Sequence, residues 1–367
     1  MLPIQIPLPL DTRPAAAASP TVGLFFGGRS AEHEVSLRSA ATLHAALRAA
    51  GFPVVPVGVG RDGTWRHLPV ADAAFPDAVD ETARAVGFAP GAAGQLSSRD
   101  DPHGTRLPRI DVAFPALHGP FGEDGRLQGA FESSGVPYVG ADVLAGAITM
   151  DKDVAKRLLM QAGLPVVPFR VFRRALPRPT HASLAERLGP RLFVKPSSLG
   201  SSIGAGPAHD EVSLANALED AFAHGAKVLV ERHVQGRELE CGVLETEDGP
   251  VASAIGEIVP GAGHAFYDYT AKYLEDDGAR LDVPARLGAE TARRVRALAV
   301  DAFRALEGRD LARVDLFLDE RGNLFVNEVN TLPGFTASSL FPRLFEATGI
   351  ALPDQVRRLV ERALARA

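Results

Sequence analysis

Hydrophobic and polar positions change period along this chain, and each change marks a predicted element. Residues 22–26 form a short apolar run ending in Gly27-Gly28-Arg29-Ser30, and a helical pattern then continues to Ala50 and stops at Gly51. Strand, glycine turn and helix open an α/β unit. Further strands are predicted at 54–59 and 112–117, so the N-terminal part reads as an α/β domain with a parallel sheet. Between them, residues 62–106 are polar and rich in glycine and proline, which predicts an insertion with little regular structure.

A helix is predicted over 145–162, ended by Gly163 and Pro165, and a second α/β segment runs on to about Glu231. Its clearest part is a strand at 192–195 leading into Pro-Ser-Ser-Leu-Gly-Ser-Ser-Ile-Gly, a small-residue loop between two strands. Beyond it the pattern predicts strands at 238–244 and 251–259, a loop-rich stretch to Pro284, a helix over 289–306, a hairpin and a C-terminal helix. The boundaries that follow are a flexible tail at 1–20, an N-terminal domain at 21–143, a central domain at 144–231 and a C-terminal domain at 232–367.

The hairpin says most about chemistry. Its arms, 311–318 and 324–330, flank Asp-Glu-Arg-Gly-Asn, and a two- or four-residue loop centred on Arg321-Gly322 pairs Asp315 with Glu328 and Arg313 with Asn330. Side chains alternate with period two. Arg313, Asp315, Glu328 and Asn330 therefore share one face, and Val314, Leu316, Leu318, Phe325 and Val329 share the other. Oxygen donors from an Asp, a Glu and an Asn suit a hard cation, and Mg²⁺ takes one or two carboxylates together with substrate phosphates. Taken alone, the same pattern also describes an ordinary amphipathic hairpin with a solvated polar face.

With 367 residues, 46% of them hydrophobic and 23% charged, the chain has the composition of a globular protein of two or three domains. A net charge of −6 without a long basic run argues against nucleic acid or an anionic membrane surface as partner, and favours a small-molecule enzyme. No apolar stretch of about eighteen residues suggests a membrane span. The single cysteine, Cys241, excludes an internal disulfide and a Cys-rich metal site, suits a reducing cytoplasm, and sits in an apolar alternation that predicts a core role. The first twenty residues lack a basic leader before an apolar segment and read as a tail rather than a signal peptide.

In the loop after Lys195, Gly200, Ser201, Ser202 and Gly204 would let backbone N–H groups approach phosphate oxygens. Alone it reads equally as a surface hairpin loop, and it is not the GxxxxGK[ST] phosphate loop, since no lysine follows the glycines. Lys195 and Lys152, in Met150-Asp151-Lys152, could meet phosphates as point charges.

Six motifs then occur in a telling order: GGRSAEHEVSL (27–37), ALHGPFGEDGRLQG (116–129), MDKDVAKRLL (150–159), FVKPSSLGSSIG (193–204), FYDYTAKY (266–273) and VNEVNTLPGFTASSL (326–340). They span nearly all of the chain after residue 20, and together they resemble the D-alanine–D-alanine ligases. The resemblance implies an ATP-grasp fold of three α/β domains, the first Rossmann-like, with ATP between the central and C-terminal domains. It implies ligation of two D-alanine molecules, with ATP cleaved to ADP, for peptidoglycan precursors. It also implies a cytoplasmic homodimer that uses two Mg²⁺ ions, Mn²⁺ being able to substitute, with D-alanine and ATP as its partners.

The same resemblance implies roles for matching positions. Asp315, Glu328 and Asn330 match the metal ligands, with Glu328 bridging. Lys152 and Lys195 match phosphate contacts, and Ser201 lies on the loop over the γ-phosphate. Glu231 and Glu238 match adenine and ribose contacts, with the backbone of 232–234 completing the adenine site, and Lys272 matches a further ATP contact. Arg313 matches the arginine that stabilises the tetrahedral oxyanion, aided by the backbone of Gly334. Glu32 matches the carboxylate that holds the first D-alanine's ammonium, and His118 lies near that substrate. Ser339 and Leu340 match the pocket for the second D-alanine, whose carboxylate would meet a helix N-terminus. Tyr273, on a closing loop at 266–281, matches the residue that selects an amine over D-lactate. His33 and the 62–106 insertion match nothing assigned.

Three competing readings keep the same residues in play: a D-alanyl-D-lactate ligase, which Tyr273 opposes; another ATP-grasp enzyme such as a carboxylase component, which the Glu32 and Tyr273 motifs oppose; and a nucleotide-binding regulator without turnover. Against the last, Asp315, Glu328, Asn330 and Arg313 are all intact.

Overall fold

The computed structural model describes residues 19–69, 75–98, 107–261 and 279–366. The first sheet has the order β3-β2-β1-β6, formed by β1 (Val22–Gly27), β2 (Val54–Val59), β3 (Trp65–His67) and β6 (Val112–Pro115). β1 pairs in parallel with β2 and β6, as expected, and β3 adds an antiparallel edge. Every residue of β1 is buried, which is why the strand reads as an unbroken apolar run. It ends at Gly27, whose φ of 91° is one that side chains disfavour, and a Cβ there would stand 2.5 Å from the Val59 carbonyl oxygen. The turn delivers the chain to α1 (His33–Ala49), which ends before Gly51.

Within the 62–106 insertion the described residues hold β3 and a two-stranded pair, β4 (Gly87–Phe88) with β5 (Leu96–Ser97), so the expected irregularity holds only in part. The aromatic rings of Trp65 and Phe88 reach Phe25 beneath them. After α2 (Arg126–Ser134) the single helix expected over 145–162 is two, α3 (Val143–Met150) and α4 (Lys152–Gln161). Asp151 breaks it. Its backbone is extended, and its carboxylate caps the N–H groups of Asp153 and Val154 while bonding Ser197 and Lys227. Asp is a strong N-cap, so a second helix starts where hydrophobic periodicity alone showed continuity.

The second sheet, order β7-β10-β8-β9, comprises β7 (Phe169–Arg173), β8 (Leu192–Pro196), β9 (Gly206–Ala208) and β10 (Lys227–Arg232), with α5 (His181–Leu188) and α6 (Glu211–Ala223). The glycine and serine loop joins antiparallel neighbours β8 and β9. The third sheet, order β13-β12-β11-β14-β15, comprises β11 (Gly236–Thr246), β12 (Gly249–Pro260), β13 (Ala279–Asp282), β14 (Leu311–Asp319) and β15 (Leu324–Asn330), backed by α7 (Ala289–Ala305). β13 occupies the end of what sequence showed only as loop; the rest of the proposed closing loop, with Lys272 and Tyr273, lies outside the described residues, as does residues 1–18 of the tail.

Two helices, α8 (Leu340–Glu346) and α9 (Leu352–Ala365), stand where one was expected. Val356, Leu359 and Val360 of α9 and Phe341 and Phe345 of α8 share one core with β1 and α1, so the end of the chain packs against its beginning. Buried Asp310 reinforces that junction, accepting bonds from the Gly140 N–H at 2.8 Å and from Arg366.

Candidate active site

The hairpin β14–β15 places Asp315 opposite Glu328 and Arg313 opposite Asn330, as expected, but by a different route. The loop has three residues, 320–322, between a paired Asp319 and Asn323. An odd-numbered loop in place of the two- or four-residue loop expected would set the register one residue off. A bulge at Asn327 restores it, since Leu316 pairs with Val326 and Asp315 with Glu328. The bulge also reverses the expected side of Phe325: Val326 is the fully buried residue, while Phe325 pairs with Phe317 on the polar side and carries the Arg232 guanidinium over its ring at 5.1 Å. Val314, Leu316, Leu318 and Val329 do form the core face.

Strand β11 adds Glu240, in register with Asp315. Arg313 grips Asp315 with two bonds, Nε to Oδ1 at 2.7 Å and Nη2 to Oδ2 at 2.8 Å, and its Nε lies 2.9 Å from Glu240 Oε2. Burial opposes its charge, but Asp315 and Glu240 more than offset that and hold the guanidinium firmly protonated. Asn330 Nδ2 donates to Asp315 Oδ2 at 3.0 Å. At the head of α4, Lys152 Nζ lies 3.0 Å from Glu328 and donates to the Leu199 carbonyl at 2.8 Å, so one ammonium joins helix, loop and hairpin. Burial works against it too, yet Glu328 and its neighbours raise its pKa.

Strands β8 and β10 bring a second charged group. Lys195 Nζ donates to Asn327 Oδ1 at 2.9 Å and pairs with Glu231 at 3.0 Å, while Lys156 Nζ reaches the other oxygen of Glu231 at 2.8 Å. Burial raises Glu231, but the two ammoniums outweigh it and keep the carboxylate ionised. Lys156 sits almost fully buried, and that burial pulls its pKa down to about 8. Its removal would leave the buried Glu231 carboxylate short of one cation. Lys156→Met is therefore expected to cost on the order of 3 kcal/mol of stability, read by denaturant unfolding. An unchanged midpoint would show that Lys195 alone compensates Glu231.

A third group comes from the turn before α1. Glu32 is buried and accepts a hydrogen bond from Ser201 Oγ, which draws the glycine and serine loop over it. His118 bridges Ser39 Oγ and the Leu332 carbonyl, each at 3.1 Å, and burial keeps its imidazole below the ordinary pKa. Ser39 also accepts the Phe335 N–H, so α1 and the segment after the hairpin hold each other.

Two cavities open among these groups. The larger, about 320 Å³, lies between the second and third sheets and is lined by Lys152, Lys195, Glu231, Glu238 and the backbone segment 232–234. The smaller, about 120 Å³, is lined by Glu32, His118, Arg313, Gly334, Ser339 and Leu340. Gly200, Ser201 and Glu328 line both. The two lysines give the larger cavity the cations a polyphosphate needs; the smaller offers a carboxylate for an ammonium and an arginine for an anion. At Gly334, a Cβ would stand 2.8 Å from Ser339 Oγ, so the backbone approaches that hydroxyl closely.

Among the described residues expected at the site, all line one cavity or the other or, like Asp315, bond directly to a residue that does. Asn327, Lys156, Glu240 and Glu123 join them without having been singled out. Glu123, Lys156 and Asn327 lay inside motifs already noted, but the roles of Asn327, Lys156 and Glu240 depend on a bulge and on which elements lie side by side in the fold.

The N-terminal and C-terminal models of the D-ala D-ala ligase family match residues 21–141 and 158–361. The chain belongs to the D-alanine–D-alanine ligase family. It is 48% identical to D-alanine–D-alanine ligase A of Pseudomonas putida, over 94% of this chain and 97% of that one. The D-alanine-D-alanine ligase from Coxiella burnetii superposes with a TM-score of 0.84 at 32% identity, covering 95% of each chain. The VanG D-Ala:D-Ser ligase from Enterococcus faecalis gives 0.80, also at 32% identity, over 94% of this chain and 99% of that one. The fold is thus the ATP-grasp fold of this family, with the larger cavity lying between the second and third of the sheets described above.

Proposed function

We propose that this protein joins two D-alanine molecules into D-alanyl-D-alanine at the expense of ATP, supplying peptidoglycan precursors in the cytoplasm. The observation that carries this reading is the meeting of the two cavities at Ser201 and Glu328 in a chain of this family. There, a nucleotide's terminal phosphate and a small amino acid's carboxylate would come together.

A carboxylate oxygen is a poor leaving group, so direct reaction with an amine at neutral pH is closed and activation is required. The first D-alanine carboxylate attacks the γ-phosphorus of ATP, and ADP leaves. The amine of the second D-alanine then attacks the acyl carbon, and phosphate departs with the electron pair of the broken C–O bond. Glu32 holds the first ammonium and His118 borders it. Ser201 closes the loop above the transferred group. Lys152 and Lys195 offset phosphate charge, and Glu231 acts through Lys195 by fixing its ammonium. Glu238 and the 232–234 backbone face the nucleoside. Arg313, with the Gly334 N–H, stabilises the oxyanion formed by amine attack, and Ser339 and Leu340 bound the second subsite.

Asp315, Glu328 and Asn330 fit Mg²⁺: two carboxylates and an amide on one hairpin face are an all-oxygen set, short of a full shell in the way that phosphate oxygens complete. Bound there, two such ions, or Mn²⁺, would neutralise phosphate charge and polarise the γ-phosphoryl group. In this structure Lys152 and Arg313 balance the same carboxylates. Phosphate release from ATP should require D-alanine and a divalent cation together. Comparable release with no amino acid, or with L-alanine alone, would end the ligase reading.

Lys272 belongs to the same reading as an ATP contact, and Tyr273 as the selector for an amine in the second subsite. Replacing Tyr273 with Phe keeps the shape and removes a hydroxyl. Dipeptide synthesis should persist, with new D-alanyl-D-lactate from mixed D-alanine and D-lactate, most at low pH where the competing amine is protonated. Product mass spectra over a pH series decide it; an unchanged ratio would place selection elsewhere. The reading also takes the protein to be a homodimer, which sedimentation tests.

A further inference from the structure

Glu123 is an acidic side chain in the smaller cavity with no part in the mechanism above. It stands beside Glu32. One Glu123 oxygen accepts the Gly119 N–H at 2.7 Å, and a Cβ on Gly119 would lie 2.6 Å from Glu32 Oε2, so the two carboxylates flank the same residue. Gly119 itself has φ of 71°, and the space a side chain would need is taken by Glu32. Ser201 covers Glu32 Oε1 and Gly119 covers Glu123 Oε2, while both residues border the cavity. Two carboxylates so placed repel each other unless a cation or a proton joins them.

We propose that Glu123 is the second carboxylate of the ammonium subsite, so that the amine of the first D-alanine is held between Glu32 and Glu123. The inference rests on the ligase reading and adds a residue to its first subsite.

The electrostatics of the free protein agree with this. Burial, and then the neighbouring Glu32, push Glu123 up to about 8, so Glu123 holds a proton at neutral pH. His118, on the same loop, is held low by burial; Arg313 on β14 and Lys152 on α4 are held charged by their carboxylate partners. Glu328 on β15 completes the ring of charge and is paired with Lys152. An arriving ammonium therefore favours the ionised form of Glu123, and binding must release its proton.

The consequence is measurable in the full-length protein. Titration calorimetry of D-alanine at pH 7, in two buffers of different ionisation enthalpy, should report release of most of one proton on filling the first site; release of none overturns the proposal. In steady-state kinetics, KM for the first D-alanine should fall by up to about tenfold per pH unit below pH 8 and then level off, since one proton is displaced. Glu123→Gln keeps an acceptor for Gly119 and removes the like charge. It should melt at or above the wild type, lose that slope, and bind the first D-alanine at least about tenfold more weakly at pH 8.5, with kcat within a few-fold. A variant with the wild-type slope and KM overturns the role of Glu123 while leaving the ligase reading intact. If the wild type makes no ADP from ATP and D-alanine, the ligase reading falls, and this inference with it.

Discussion

Glu328→Gln is expected to lower kcat by at least about a hundredfold while the protein stays folded. Glu328 lines both cavities and carries the charge nearest their junction. Glutamine preserves its size and one oxygen but removes that charge, so a divalent cation that would offset the γ-phosphate charge would lose an anionic ligand. The fold has little reason to fail, because Lys152, which loses its partner at 3.0 Å, keeps the Leu199 carbonyl. Turnover and a melting curve, measured together, separate the outcomes. Near wild-type kcat in an intact protein would mean that the polar face of the hairpin is only a solvated surface.

Arg313→Lys should be nearly as severe, with kcat down about a hundredfold to a thousandfold and the KM for ATP changed far less. The guanidinium meets Asp315 through two parallel bonds and Glu240 through a third contact, so its plane is fixed before substrate arrives. A lysine keeps the charge that Asp315 and Glu240 need but presents a point in place of a fork. What is lost is the aim of the donor at the oxyanion formed when the amine attacks. Equal rises in KM for both substrates with kcat preserved would assign Arg313 to substrate binding instead.

How far this site could be read from sequence is best seen on β15. Period-two alternation carried from a two- or four-residue turn placed Asp315 opposite Glu328, yet the actual turn has three residues and the bulge at Asn327 makes good the difference of one. Alternation has no way to signal a bulge, which is why Phe325 was expected in the core and Asn327 went unnoticed beside Lys195. Parallel pairing of β1 with β2 and β6 was legible because those strands are buried and their connections are long. The break at Asp151 was legible in principle, since Asp is a capping residue, but the apolar spacing of 145–162 runs straight through it. Glu240 and Lys156 were out of reach for another reason: their roles arise from β11 lying beside β14 and α4 lying over Glu231, contacts between residues far apart in the chain.

The central claim is that ATP activates one D-alanine as an acyl phosphate and a second D-alanine then takes its acyl group. D-alanine labelled with ¹⁸O in both carboxylate oxygens tests it directly, with the dipeptide and the inorganic phosphate analysed by mass spectrometry after partial turnover. The account predicts D-alanyl-D-alanine accompanied, mole for mole, by phosphate bearing one ¹⁸O, because the oxygen that attacks the γ-phosphorus leaves with it. Phosphate free of label, or labelled phosphate with no dipeptide, would contradict it.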